Sequence, residues 1–99
     1  MHPIVEKLKA GQEVTFKPKG NSIVPLIRSG EEVTLEPLTD QHVLKERMVV
    51  YVQVAGNVYL HLIGAIEQSR YQIRNNRGRV NGWVTREHIY GVLKKQGRT

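Results

Sequence analysis

The sequence predicts a mainly β domain: a small, partly open barrel or meander of about seven short strands with one short N-terminal helix. Three observations predict it. Polar and apolar residues alternate in short runs, as in Glu13-Val14-Thr15-Phe16-Lys17 and Arg70-Tyr71-Gln72-Ile73-Arg74, which is the period of a half-buried strand. Glycine, asparagine and proline punctuate these runs at close intervals. Helical spacing is confined to the start of the chain and one turn near its end. The 99 residues fit a single domain over 1–99, with the helix inside 1–12, a core over 19–93 and a basic tail over 94–99.

Each element has a local reason. In His2 to Gly11, Pro3 suits a first helical turn. Ile4, Val5 and Leu8 share a side, and Gly11 suits the C-terminal stop. Glu13 to Lys17 is the first strand and Pro18-Lys19-Gly20-Asn21 a turn. Ser22 to Ile27 follows, then a second turn at Arg28 to Glu31. Glu32 to Glu36 alternates again, with Val33 and Leu35 inward. Pro37 to Glu46 is polar and reads as loop. Met48 to Ala55 is a dense β-branched and aromatic strand, joined through Ala55-Gly56-Asn57 to its partner at Val58 to Glu67. Arg70 to Arg74 is a further strand and Asn75 to Arg79 a loop. Trp83-Val84 is a short strand, Thr85 is placed to cap a helical turn over Arg86 to Tyr90, and Gly91 to Lys95 closes the fold.

Composition removes several function classes. With no cysteine, a disulfide scaffold, a zinc ribbon and a thiol nucleophile all fall away. The longest uncharged stretch, 48–66, carries Gln53, Asn57 and His61, too polar for a membrane span, and the start lacks a signal-peptide pattern. The expectation is a soluble, cytoplasmic protein with no membrane partner, no metal and no cofactor. The net charge of +6 is unevenly placed. Lysines and arginines balance the acids through residue 49. Beyond it stand eight basic residues against only Glu67 and Glu87, an asymmetry that points to an acidic partner.

Nucleophilic chemistry is suggested by one segment. Ser22 lies two residues after Gly20 and three before Pro25, with Gly30-Glu31 closing the stretch. A serine on such a corner can present its hydroxyl beside free backbone N–H groups. The order Gly20, Ser22, Ile23, Pro25, Gly30, Glu31 resembles the serine box of the peptidase superfamily that holds type I signal peptidases and self-cleaving SOS-type repressors. There it reads Gly-x-Ser-Met-x-Pro and then Gly-Asp. The downstream order is similar too: a hydrophobic strand (Met48–Val54), a strand carrying the general base (Tyr59 to Ile63), a glycine- and asparagine-rich loop (Asn75-Asn76-Arg77-Gly78) and a terminal Ile89-Tyr90-Gly91-Val92-Leu93. The likeness covers residues 19–93.

The resemblance implies a serine endopeptidase, or self-processing peptidase, of bacterial or phage type that cleaves an extended peptide. Many members use a lysine base, but Lys45 alone lies between the serine and the tail, in a polar stretch. His61 stands where the base is expected, so the chain looks like the variant that pairs serine with histidine in a Val-His-Arg motif, here Leu60-His61-Leu62. Histidine needs little pKa adjustment for this role. Ser22 is then the nucleophile and His61 the base, with Asn21 and the Ser22–Ile23 backbone facing the oxyanion. Two acids usual in the family, in the late loop and before the base strand, are absent. The candidates to orient His61 are Asp40, a backbone carbonyl, Asn75 or Asn76. The other function class is a binding module on the same fold: Arg70 and Arg74 share a strand face, Arg77 and Arg79 extend it, and Trp83 or Tyr71 offers a stacking surface, a footprint for nucleic acid or for a host or phage protein.

Overall fold

The computed structural model describes residues 3–18 and 31–96. Their elements run α1 (Pro3–Lys9), β1 (Val14–Phe16), β2 (Val33–Pro37), β3 (Val49–Val54), β4 (Asn57–Glu67), β5 (Arg70–Arg74), β6 (Val80–Thr85), a 3-10 turn (Arg86–His88) and β7 (Ile89–Gln96). The seven strands form one antiparallel sheet in the order β1-β2-β7-β3-β4-β5-β6. Among the described residues it does not close into a barrel, and β1 and β6 are its margins. Among the described residues no helix is long and apolar enough to cross a membrane.

Two turns differ instructively from the sequence expectation. Val54 pairs with Asn57, so the hairpin turn is Ala55-Gly56, with φ of 51° and 85°. Two successive positive φ values match the twist of the flanking strands. Asn57 is already strand, and Ala55 takes the left-handed position at a cost of about 1–2 kcal/mol for its Cβ. Thr85 does not cap the turn that follows it. Its hydroxyl instead donates to Glu87 Oε1 at 2.9 Å.

β6 begins at Val80, before the expected Trp83-Val84. The alternation fails there because the register slips: Ile73 opposes Gly82 while Arg74 opposes Val80, leaving Asn81 as the extra residue of a bulge. Gly82 adopts a φ of 151°, and a Cβ on it would meet Val54 Cγ1 at 3.0 Å. The sheet therefore curls until β6 lies against the end of β3.

Curling gives the sheet an inner and an outer face, and period-2 alternation sorts side chains between them. Val50, Val52 and Val54 of β3 face inward with Ile63, Ile73, Val84, Ile89 and Val92. Leu44 joins them from the loop after β2. That loop is held by the Arg86 guanidinium, which donates to the carbonyls of Thr39 at 2.6 Å and His42 at 2.8 Å. On the outer face α1 lays Val5 and Leu8 over Val14, Leu35 and Tyr51. Its end is set by Gly11 at a φ of 84°.

Gly91 of β7 admits this helix. A Cβ there would sit 2.9 Å from the Glu36 carbonyl oxygen and 3.0 Å from Leu8 Cδ1. Backbone on one side and a packed helix on the other leave little room to yield. Gly91→Ala is expected to cost about 1–3 kcal/mol, measured as a lower urea midpoint at unchanged slope.

Candidate active site

His61 occupies the middle of β4. It opposes Val50 of β3, which opposes Val92 of β7. Val58, Leu60 and Leu62 turn to the outer face, so Tyr59, His61 and Ile63 turn inward. The result is an imidazole only 4% exposed, set beside the apolar inner core.

Two contacts fix the ring. The Nδ1–H donates to Asn81 Oδ1 at 2.9 Å, and the Tyr59 ring stacks on the imidazole at 4.6 Å and 17°. An amide oxygen only accepts, so in the neutral ring the proton sits on Nδ1 and the lone pair on Nε2. Burial lowers the His61 pKa from its ordinary 6.5, while the Asn81 bond pulls it back up in part. The imidazole is therefore neutral at neutral pH, held in the tautomer a general base requires.

The bulge in β6 explains how Asn81 reaches a residue two strands away. As the extra residue it escapes strict alternation, and its side chain reaches His61 on β4. The sequence reading missed Asn81. Its available signal was the Asn81-Gly82 pair, a glycine interrupting a strand pattern.

The other candidates are scattered. Ser22, Asn21 and Ile23 lie outside the described residues. The strands on either side of their segment end as register partners, Phe16 against Val33. Asp40 stands exposed in a turn on the loop between β2 and β3. Asn75 performs turn chemistry: its Oδ1 accepts the backbone N–H groups of Arg77 and Arg79, each at 2.9 Å, while its own N–H donates to the Arg79 carbonyl. Asn76 is half-buried in the same turn. The side chain on His61 Nδ1 is that of Asn81.

The arginines divide as well. Arg70, Arg77 and Arg79 are exposed. Arg74 is half-buried, folded over Gly64, where its Cδ lies 2.7 Å from the point a Cβ would occupy. Its Nε is buried without a hydrogen-bond partner. Among the described residues no three histidine, aspartate or glutamate side chains group to hold a metal ion.

Compared with protein-family models and with curated proteins, the chain matches none.

Proposed function

We propose that the protein is a serine peptidase in which Ser22 is the nucleophile, His61 the general base and Asn81 the residue that holds the base. One observation carries this reading: a buried, neutral imidazole whose Nδ1–H is engaged by Asn81 at 2.9 Å, leaving the Nε2 lone pair to receive a proton. The serine is supplied by the sequence, from the Gly20-Asn21-Ser22 segment.

The chemistry follows from those roles. The Ser22 Oγ–H bond breaks, the proton passes to His61 Nε2, and Oγ bonds to the carbonyl carbon of the substrate. The negative charge collects on the carbonyl oxygen, where the Ser22 and Ile23 N–H groups and the Asn21 amide are the donors proposed to receive it. Collapse of the tetrahedral species breaks the C–N bond, and the imidazolium protonates the departing amine. Water, deprotonated by the same Nε2, then hydrolyses the acyl-serine. The substrate is an extended peptide, and β6, a margin of the sheet among the described residues, is suited to align such a strand.

A fluorophosphonate tests the reading because it phosphonylates an activated serine far faster than an ordinary one. Intact mass and peptide mapping are expected to show one adduct, on Ser22, absent from Ser22→Ala. A folded wild-type protein that takes up no reagent overturns the proposal.

A further inference from the structure

The outer surface carries a second feature that the peptidase reading does not use. A pocket of about 460 Å³ opens between the β3–β4 turn and the β5–β6 pair, lined by Gln53, Gly56, Arg70, Trp83, Thr85 and His88 among others. Trp83 is the chain's single tryptophan and is 38% exposed. The register sets Gln72 opposite Trp83 and Arg70 opposite Thr85, which brings the Arg70 guanidinium over the indole at 5.8 Å from the ring centroid. Among the described residues no acid lines the pocket. Glu87 accepts the Thr85 hydroxyl nearby, which leaves the Arg70 side as the more favourable end for an anion.

We infer that this pocket binds single-stranded nucleic acid, with one base against Trp83 and the adjoining phosphate on Arg70. The chemistry favours this ligand over an acidic peptide. The pocket's large apolar surface is a flat indole, which matches the π-face of a base, and the cation beside it matches a phosphate. An acidic peptide would use the cation and leave the indole unsatisfied. The strand direction supplies a path: β5 runs from Arg70 to the turn bearing the exposed Arg77 and Arg79, a separation of roughly 15–20 Å at the usual rise per residue. A backbone bound at Arg70 meets further positive charge along the same hairpin. Arg74 contributes less, since it is folded over Gly64.

The single tryptophan makes the test direct. Titration with an oligothymidylate of about 12 nucleotides is expected to quench Trp83 fluorescence saturably, with affinity falling linearly in log salt. Arg70→Gln is expected to reduce that salt slope by about one. With a dye-labelled oligonucleotide, Trp83→Ala is expected to bind roughly 5- to 150-fold more weakly. Thermal unfolding of both variants checks that they fold. Ser22→Ala, which removes the proposed nucleophile, is expected to bind as the wild type does, so loss of the peptidase reading would leave this one standing. Three results overturn it: a polyglutamate peptide that perturbs Trp83 as strongly as the oligonucleotide, thymidine monophosphate that binds as tightly as the oligomer, or an Arg70→Gln variant with unchanged affinity and slope.

Discussion

Replacing His61 by glutamine is expected to slow acylation of Ser22 by a fluorophosphonate roughly 10²–10⁴-fold, the usual worth of a positioned general base, while leaving the protein folded. Glutamine fills much of the imidazole volume and can still donate an N–H to Asn81 Oδ1, so the buried acceptor keeps a partner. What it lacks is a nitrogen lone pair where Nε2 stood. The same substitution separates the base from a histidine that merely packs. A packing residue would alter the unfolding midpoint and leave the acylation rate per folded molecule unchanged.

The wild type also carries a signature in stability. Its His61 pKa in the folded state is lowered by burial, whereas in the unfolded chain it returns to about 6.5. As pH falls below that value the unfolded state takes a proton that the folded state resists, so stability declines until the lowered folded pKa is passed. Above about 6.5 both states are neutral and the contribution is complete. The difference in stability between the wild type and His61→Gln is therefore expected to shrink as pH falls through this range. Urea unfolding at a series of pH values from neutral to mildly acid measures it.

The strands were legible because each depends on its own residues. Val14, Val33, Leu35 and Ile73 lie at alternating positions that declare a buried face, and the structure buries all four, Ile73 on the inner face and Val14 and Leu35 beneath α1. The order of the strands was not, since β7 enters between β2 and β3 through pairings distant in sequence. His61 was singled out because it stands where the resemblance expects the base. Its partner was hidden, because strict alternation would send Asn81 elsewhere and only the slipped register between β5 and β6 turns it inward. Asp40, Asn75 and Asn76 were attractive by residue type, yet local turn bonding already occupies the Asn75 oxygen. A side chain that orients another across a sheet is defined by curvature, which no local pattern encodes.

Asn81 should therefore control the pH dependence of acylation, and two substitutions are expected to move it in opposite directions. Acylation by a histidine base rises as His61 loses its proton, so the acid limb of the rate profile reports its pKa. Asn81→Asp places a carboxylate 2.9 Å from Nδ1, favours the imidazolium and shifts the limb to higher pH. Asn81→Ala removes a bond that raises the His61 pKa, so any residual limb shifts lower. It also leaves a buried N–H without an acceptor, at about 1–3 kcal/mol, and frees the ring to hold its proton on Nε2, where it cannot act as a base. The rate at the plateau is thus expected to fall in Asn81→Ala and to persist in Asn81→Asp. If Asn81 served only to fill the β6 bulge, both variants would lose stability and neither would displace the limb. Measuring acylation rates against pH for the three proteins, each normalised to its folded fraction, separates the two roles, because packing alone has no means of moving a proton equilibrium at Nε2 in opposite directions.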